Sequence, residues 1–336
     1  MMKAMVFERH GGVEELAIKE IPTPKPGRGE LLIRVKAVAL NGFDPMMLAG
    51  STGLKVPLPM APCGDFSGEI ADLGDGVDAS WRIGDRVSGY PILPEKGMMG
   101  EVTMGAACEF IVMPQECLVR MPDDVSFEDA AALPVAYGTA YRMMFERGAI
   151  KAGERVLILG AAGGVGVAAI QFAKHAGAEV IACAGGAKAA LLKEIGADAV
   201  IDTAQDDFLS AARALVGKPS YDGRSDGGVD VVVNYIGGET WAKSLKILRR
   251  HGRILVCGAT AGYDPQTDLR YIWSFEQTVV GSNGWTIQDQ AALLDLVSQG
   301  ALSPVLHSVL PIEDMPKAMG ELIDRRVVGK SVLTIG

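Results

Sequence analysis

The stretch Arg155-Val-Leu-Ile-Leu-Gly160-Ala-Ala-Gly163-Gly164-Val-Gly166 joins an apolar run to a cluster of glycines, and a helical pattern over Val165–Ala176 follows at once. A strand, a tight turn and a helix in this order let backbone N–H groups approach a pyrophosphate, and the helix N-terminus adds partial positive charge. A glycine cluster alone usually marks an ordinary turn, but the flanking patterns make dinucleotide binding the specific interpretation. The residues predicted to hold the dinucleotide here are Gly160, Ala162, Gly163, Gly164 and Val165.

Strand and helix patterns alternate on both sides of this turn. Repeated strand–helix–strand units imply a parallel sheet with right-handed crossovers, so an α/β Rossmann domain with a doubly wound sheet is predicted. The predicted strands are Arg155–Leu159, Glu179–Cys183, Ala199–Ile201, Val229–Asn234, Arg253–Cys257 and Gln277–Gly281, and the predicted helices are Val165–Ala176, Ala187–Ile195 and Glu239–Leu248.

The first third of the chain has a different character, with short β-branched segments such as Met2–Phe7 and Glu30–Leu40 and frequent glycines. This spacing predicts a compact, barrel-like, β-rich domain. Ser126 opens a capping-box pattern with Asp129, which predicts the start of a helix and a change of domain. After the Rossmann region, the predicted elements are helices at Ile287–Gln299 and Met315–Asp324 and a strand at Ser331–Ile335.

The end of the second Rossmann strand bears on the choice of cofactor. NAD sites usually carry an acidic residue about 20 residues past the glycines, where it holds the ribose 2′-hydroxyl. Here the sequence reads Ile181-Ala-Cys183-Ala-Gly185-Gly186-Ala-Lys188, without an acid. We therefore predict NADPH, with Lys188 at its 2′-phosphate and Gly185 among the residues that bind the cofactor, although Lys188 could instead be a solvated lysine at a helix start.

Composition excludes several classes of function. The chain has 336 residues and a net charge of −9, which argues against a nucleic-acid partner because phosphate backbones require a basic surface. Its five cysteines are an odd number without a Cys-x-x-Cys pair, so neither a disulfide framework nor a thiolate zinc site is predicted. No signal peptide or membrane span is expected, and a cytoplasmic protein is predicted.

Several motifs together resemble the medium-chain dehydrogenase/reductase superfamily, in particular its zinc-free quinone oxidoreductase and enoyl-CoA reductase branches. These motifs include Leu40-Asn41-Gly-Phe-Asp44, Pro62-Cys63-Gly64-Asp65-Phe-Ser-Gly68, Gly138-Thr139-Ala140-Tyr141 and Val279-Val-Gly-Ser282. The resemblance implies a β-rich, GroES-like catalytic domain of residues 1–126 that is completed by residues 286–336. It also implies that residues 127–285 form the Rossmann domain, with the nicotinamide in a cleft.

The sequence departs from the zinc alcohol dehydrogenases of that superfamily. Those enzymes have a ligand cysteine near Asn41 and a Gly-His-Glu sequence where this chain has Gly64-Asp65-Phe66. Their cluster of four cysteines is also missing from Pro91–Gly105. Tetrahedral zinc is therefore not expected. Alcohol oxidation needs a Lewis acid for the alkoxide, whereas reduction of a conjugated C=C bond needs only hydrogen bonds to the developing enolate. Reduction of a conjugated alkene or quinone is predicted.

The resemblance also assigns roles to single residues. Asn41 would lie beside the nicotinamide and the substrate carbonyl, and Thr139 would contact the nicotinamide or its ribose. Asp44 is a third candidate catalytic residue, which could instead only orient the loop. The alternatives are a turn conformation for Asn41 and a hydrogen bond within a helix for Thr139. The remaining residues that the resemblance places near the cofactor are Cys257, Gly258, Ala259 and Lys330.

The substrate stays open between a quinone or small enone and an acyl-CoA. The segments around Arg142 and Arg270 are similar to those of enoyl-CoA reductases, which makes both arginines candidates for the CoA phosphates. A third possibility is a catalytically silent NADPH-binding protein with a structural or regulatory role. A homodimer is expected, in which Val279-Val280 would form an edge strand that continues the sheet into a partner subunit.

Overall fold

The chain folds into two compact units. In the computed structural model, which describes residues 1–186 and 188–336, the first unit comprises Met1–Gly138 and Thr286–Gly336, and the second comprises Thr139–Trp285. The first unit is thus built from both ends of the chain. Each unit has its own hydrophobic core.

The strands are numbered along the whole chain. They are β1 Met2–Val6, β2 Ala17–Ile21, β3 Glu30–Ala39, β4 Asp65–Leu73, β5 Arg86–Gly89, β6 Ile92–Leu93, β7 Gly97–Met98, β8 Phe110–Pro114, β9 Leu118–Arg120, β10 Arg155–Leu159, β11 Glu179–Ala184, β12 Ala199–Asp202, β13 Val229–Val233, β14 Leu248–Val256, β15 Thr278–Gly281, β16 Leu306–Pro311 and β17 Lys330–Thr334.

The α-helices are α1 Asp44–Ala49, α2 Phe127–Ala132, α3 Gly138–Tyr141, α4 Gly164–His175, α5 Ala189–Glu194, α6 Phe208–Val216, α7 Thr240–Ile247, α8 Leu269–Ser274, α9 Ile287–Ser298 and α10 Met315–Ile323. Two π-helical segments, Leu133–Tyr137 and Arg142–Arg147, flank α3, and short 3-10 turns lie at Val13–Glu15, Gln115–Cys117 and Ile312–Asp314.

The second unit contains a six-stranded parallel sheet in the order β12-β11-β10-β13-β14-β15. This is the strand order of a doubly wound Rossmann sheet, so the predicted fold class is confirmed. Its central strands are buried on both faces, as the continuous apolar runs of β10 and β13 require. The predicted strand Arg155–Leu159 coincides with β10. In the predicted helix Ala187–Ile195, Ala187 lies outside the described residues and the helix is α5.

Two helices of the second unit were not predicted from the sequence. The side chain of Asp207 caps α6 by accepting the Ser210 N–H at 3.0 Å, and Asp268 caps α8 by accepting the Arg270 N–H at 3.1 Å. Both caps are short polar residues of the type that helices prefer at this position. Both cap residues are therefore visible in the sequence, but α8, with six residues, is too short to show a helical repeat of apolar positions.

The first unit contains a mainly antiparallel sheet in the order β16-β17-β3-β4-β5-β9, and β8 also pairs with β3. The β-rich domain predicted for the chain's beginning is confirmed, and β16 and β17 from the chain's end complete its sheet. Ala39 at the end of β3 pairs with Asp65 at the start of β4 on one side and with Val332 of β17 on the other. This register brings Asn41, Asp65 and Lys330 to one end of three adjacent strands.

The division between the units differs from the boundary proposed from the sequence, because residues 127–138 belong to the first unit. The Ser67 hydroxyl of β4 donates to the Phe127 carbonyl at 2.6 Å, and the Val135 N–H donates to Asp65 Oδ1 at 3.0 Å. The alanines of α2 are fully buried, and α2 packs against β3 and β4. Helix α2 therefore extends the core of the first unit. The predicted cap is confirmed, since Ser126 Oγ accepts the Asp129 N–H at 3.0 Å.

Candidate active site

The turn between β10 and α4 is shaped to receive an anion. Gly160 has a left-handed φ of 67°, and Gly163 is the extended N-cap residue of α4, without a capping side chain among the described residues. The first N–H groups of a helix have no partner within the helix, and they carry its positive partial charge. The 12-residue helix α4 therefore presents backbone donors at the position predicted from the sequence.

The third glycine of this turn permits a close approach of helix and strand. A Cβ atom on Gly166 would lie 2.6 Å from the Cα atom of Ala161 and 2.6 Å from the carbonyl oxygen of Gly160. Both are backbone atoms, which cannot move aside without distorting the turn. The geometry matches the role of close helix–strand packing that this glycine has in dinucleotide-binding folds.

Tyr235, which sequence reasoning missed, holds the glycine turn from the neighbouring strand. It follows β13, and its hydroxyl donates a 2.6 Å hydrogen bond to the Gly160 carbonyl. Burial raises the pKa of this phenol well above its usual value, so the hydroxyl remains a donor. Asn234 fixes the same loop by accepting the N–H groups of Ile236 and Gly237, each at 3.0 Å. The local sequence gives no signal for this contact, because β10 and β13 are neighbours only in the folded sheet.

A loop after β14 lies beside the Tyr235 loop. The Thr260 N–H donates to the Tyr235 carbonyl at 3.2 Å, and the Ala261 N–H donates to the Ile236 carbonyl at 2.7 Å. Burial raises the pKa of the Cys257 thiol to about 12, so this cysteine is not a nucleophile at neutral pH. The predicted cofactor residues Cys257, Gly258 and Ala259 thus follow the carboxyl end of β14, at the same sheet edge as the glycine turn.

A cation in the loop after β11 and an anion from the neighbouring strand both lie at this part of the sheet edge. Lys188 is the N-cap residue of α5, and partial burial lowers the pKa of its ammonium group. Asp202, at the end of β12, accepts the N–H groups of Gly186 at 3.0 Å and Ala204 at 2.9 Å. No acidic residue follows β11 directly in the chain, but folding brings Asp202 from the adjacent strand to the same loop. Gly185 lies in that loop as predicted.

The first unit contains a buried cluster of polar side chains. Asn41 Nδ2 donates to Asp65 Oδ2 at 2.9 Å, and Lys330 Nζ donates to Asn41 Oδ1 at 2.5 Å and to Asp65 Oδ2 at 3.0 Å. Asp65 is 0% exposed and Lys330 is 2% exposed. Lys330 was predicted to approach the cofactor, but its ammonium is directed onto Asn41 and Asp65, because a buried ammonium needs a carboxylate.

Asp44 shapes the loop that carries Asn41. Its two carboxylate oxygens accept the Asn41 N–H at 2.6 Å and the Cys63 N–H at 3.0 Å. Burial raises the pKa of Asp44 to about 7, against the opposing effect of these two hydrogen bonds and of Lys330. Cys63 has a left-handed φ of 71°, and burial raises the pKa of its thiol. The geometry agrees with an orienting role for Asp44.

The residues at these positions do not fit a zinc ion. Asp65 stands at the position where the zinc alcohol dehydrogenases have a ligand histidine, and it forms an ion pair with Lys330. Over residues 1–186 and 188–336, no three His, Cys, Asp or Glu side chains are grouped so that they could hold a metal. An ammonium beside Asn41 and Asp65 also opposes the binding of a second cation there.

The two arginines considered for CoA line different cavities of the second unit. Arg142 begins the second π-helical segment and lines a cavity of about 430 Å³ together with Arg147 and Ser282. Arg270, on α8, lines another of about 590 Å³. Thr139, in α3, is partly buried. Arg142 and Arg270 therefore do not belong to one pocket.

Comparison with known protein families and solved structures agrees with this geometry. Residues 164–299 match the zinc-binding dehydrogenase family, and residues 27–123 match the alcohol dehydrogenase GroES-like domain. A solved structure described as an NAD-dependent alcohol dehydrogenase superposes with a TM-score of 0.90 at 33% identity, over 100% of both chains. The chain belongs to the medium-chain dehydrogenase/reductase superfamily.

Relatives of known name cover nearly the whole chain. The mouse synaptic vesicle membrane protein VAT-1 homolog is 30% identical over 100% of this chain and 84% of its own length. The mouse quinone oxidoreductase is 29% identical over 96% of this chain and 94% of its own length. The crotonyl-CoA reductase of Streptomyces avermitilis is 28% identical over 91% of this chain and 78% of its own length.

One further observation concerns membranes. In the described parts of the chain, every helix is too short or too polar to cross a bilayer.

Proposed function

We propose that the chain is an NADPH-dependent reductase that delivers hydride to a conjugated C=C bond or a quinone without zinc. The observation that carries this proposal is the turn from Gly160 to Gly166, where a helix N-terminus follows a buried parallel strand and no described side chain caps it. Similarity to the mouse quinone oxidoreductase supports the substrate class.

The residues around the turn fit a dinucleotide. The N–H groups at the start of α4 would hold the pyrophosphate, and Gly166 leaves no side chain between helix and strand. Lys188 would pair with a 2′-phosphate, while two backbone N–H groups stabilise the charge of Asp202. NADPH bound here supplies the hydride. Cys257, Gly258 and Ala259 would border the cofactor at the same sheet edge, and Thr139 would contact its nicotinamide end.

The first unit would supply the group that stabilises charge on the substrate. When a conjugated carbonyl compound or quinone is reduced, negative charge develops on its oxygen and needs a fixed hydrogen-bond donor. Asn41 has two N–H bonds on Nδ2, of which Asp65 accepts one. We assign the other to the substrate oxygen, with Asp44 as the residue that orients the loop.

The experiment is an absorbance assay of NADPH oxidation with 1,4-benzoquinone, a simple enal, crotonyl-CoA and acryloyl-CoA. Parallel assays with NADH and with a metal chelator are the controls. Oxidation of NADPH by the quinone or the enal, unchanged by the chelator, is the expected result. Binding of NADPH without oxidation by any acceptor would overturn the proposal and favour a catalytically silent nucleotide-binding protein.

A second candidate is an enoyl-CoA reductase, which the cavity at Arg270 favours. Aromatic faces stack on adenine at about 1–3 kcal/mol per base, and cationic side chains pair with phosphates. Arg270 is paired with Asp268. Three further cations, Arg213, Lys218 and Lys246, form no ion pair with a described carboxylate. The buried Nε atom of Arg213 also has no hydrogen-bond partner among the described residues. The cavity is lined by Arg213, Lys218, Lys246, Arg270, Tyr221, Tyr271 and Phe275, among others.

The two candidates separate when crotonyl-CoA is compared with crotonyl-pantetheine, which has the same thioester but no nucleotide. If CoA is the substrate, KM rises for the pantetheine ester, and K218E/K246E raises KM for crotonyl-CoA alone. The matched control K193E/R224E makes the same charge change at exposed residues that do not line this cavity. Equal KM values for both esters would eliminate the CoA candidate. R142A tests the other cavity by the same comparison.

We also propose that the chain is a cytoplasmic homodimer. All five cysteines are free thiols, as expected in a reducing compartment. Strand β15 is the last strand of its sheet, and Val279 on it is 49% exposed, so a second copy could pair along this edge. Light scattering during size-exclusion chromatography should give twice the chain mass, and Val279→Lys should shift it toward the monomer.

A further inference from the structure

The Asn41 amide is bonded to a buried ion pair, which determines its orientation. Its oxygen accepts from Lys330 Nζ and its nitrogen donates to Asp65 Oδ2. If the amide were rotated by half a turn, its NH₂ group would face the ammonium and its oxygen would face the carboxylate. Both contacts would be repulsive, so only one orientation is compatible with the pair.

Asp65 is itself held from a third side. Its other oxygen, Oδ1, accepts the Val135 N–H at 3.0 Å, from the π-helical segment that follows α2. Since Asp65 starts β4 and Lys330 starts β17, the pair also joins strands that flank β3. The carboxylate therefore has little freedom to rotate, and its hydrogen bond with Asn41 Nδ2 restricts the Asn41 amide as well.

The ion pair of Lys330 and Asp65 also places a fixed positive charge, the Lys330 ammonium, beside the Asn41 amide. Zinc-dependent members of the superfamily have a metal cation near the position of Asn41, whereas this chain has an ammonium 2.5 Å from the Asn41 oxygen. Two of the three N–H donors of this ammonium are directed onto Asn41 Oδ1 and Asp65 Oδ2, and the Lys330 residue is 2% exposed. The contacts of Lys330 thus point to an effect on the reaction through Asn41 and Asp65.

We propose that Lys330 and Asp65 are positioning residues for the reduction, which hold the Asn41 amide with one N–H bond directed at the substrate oxygen. This inference rests on the proposed reductase function, in which Asn41 binds that oxygen. It gives Lys330 a role different from the cofactor contact that the sequence suggested. Loss of Lys330 should accordingly slow the reaction without weakening the binding of NADPH.

The orientation can be measured without any turnover. The chain has three asparagines, Asn41, Asn234 and Asn283, so ¹⁵N-asparagine labelling gives three side-chain amide signals, and Asn41→Ala identifies the relevant one. In the wild type we expect the Asn41 amide protons to exchange slowly with solvent, and Lys330→Met should speed their exchange roughly tenfold or more. Lys317→Met, an exposed lysine of the same unit, is the control. Equal exchange in wild type and Lys330→Met would overturn the proposal.

The kinetic test uses Asn41→Ala, Lys330→Met and their combination. If Lys330 acts through Asn41, kcat falls roughly tenfold or more in each single variant, the combination is no slower than Asn41→Ala, and the NADPH dissociation constant stays within about twofold. Losses that multiply in the combination, or a weakened NADPH complex in Lys330→Met, would contradict the proposal.

A companion variant covers the event that Lys330→Met does not fold. Asp65→Asn combined with Lys330→Met removes both charges, so the protein should fold while kcat stays low and amide exchange stays fast. Wild-type kcat in this pair would refute the positioning role. If the wild type reduces no acceptor, the proposed function fails, and the exchange measurement still decides whether the ion pair orients Asn41.

Discussion

The two candidate sites are built from different materials. The site in the second unit consists of backbone, since one continuous stretch from Gly160 to Gly166 supplies its donors and its space. The site in the first unit consists of side chains, and its members Asn41, Asp65 and Lys330 are separated by 24 and 265 residues along the chain.

This difference determines what each site tolerates. A backbone site depends on conformation and volume, so an added methyl group damages it and a charge change elsewhere does not. A buried side-chain cluster depends on balanced charge, so removing one partner leaves the other uncompensated. We therefore expect added volume at the glycine turn to weaken cofactor binding, and the removal of a charged partner from the side-chain cluster to lower stability.

The largest expected effect on cofactor binding is that of Gly166→Ala. Its new Cβ would meet the backbone of Gly160 and Ala161 at 2.6 Å, and relieving such overpacking costs about 1–3 kcal/mol or more. The NADPH dissociation constant should rise roughly tenfold to a hundredfold. Fluorescence titration with NADPH measures this. The control Gly320→Ala, in α10 with open space at its Cβ, should bind NADPH normally. Normal binding by Gly166→Ala would show that the turn is not the cofactor site.

The next effect concerns pH and Asp44. The unfolded carboxyl has a pKa near 3.8, and burial raises the folded pKa to about 7. The folded state therefore binds this proton more tightly, and its contribution to stability is complete below the unfolded pKa and is lost as pH rises toward 7. Between about pH 5 and pH 8 the loss amounts to about 2–3 kcal/mol.

Asp44→Asn removes this titration, so the difference in unfolding free energy between wild type and variant should shrink by that amount over the same range. Urea unfolding at several pH values measures it. In Asp44→Asn an NH₂ group replaces one of the two carboxylate oxygens, so one of the N–H groups of Asn41 and Cys63 loses its acceptor. This loss lowers the stability of the variant by an amount that hardly changes with pH. A difference that does not change with pH would contradict the raised pKa.

The smallest effect is expected from Tyr235→Phe. This change deletes one neutral hydrogen bond to the Gly160 carbonyl, worth about 0.5–1.5 kcal/mol, and keeps the ring. The NADPH dissociation constant should rise about two- to tenfold, with the unfolding free energy lowered by a similar energy. Tyr263→Phe, at an exposed tyrosine of the same unit, is the matched control and should change neither quantity. An unchanged dissociation constant in Tyr235→Phe would mean that the glycine turn keeps its shape without Tyr235.

The Rossmann sheet could be predicted from the sequence because its signals are local. Apolar runs give β10 and β13, and the turn that ends β10 contains its own glycines. The ends of helices are predicted less accurately than their presence, because α4 begins at Gly164, one residue before the predicted start. The helix α6 was missed although Asp207 marks its start.

The side-chain cluster could be predicted only in part. The resemblance named Asn41, Asp44 and Lys330 separately, but the meeting of Asn41 and Lys330 at Asp65 depends on the pairing of β3 with β4 and β17. Nothing local to Lys330 shows that its ammonium faces inward. Tyr235 and Asp202 were missed for the same reason, because each acts on a neighbouring strand's loop that only the folded sheet brings close.

The division of roles between the two units is tested most directly by the single-turnover rate of NADPH oxidation in Asn41→Ala, measured together with its NADPH dissociation constant. In the proposed mechanism the glycine turn binds the cofactor and Asn41 stabilises the substrate oxygen. The rate should therefore be roughly a hundredfold below wild type, with a dissociation constant within about twofold of the wild-type value. A wild-type rate, or a rate loss explained entirely by weaker NADPH binding, would contradict these roles.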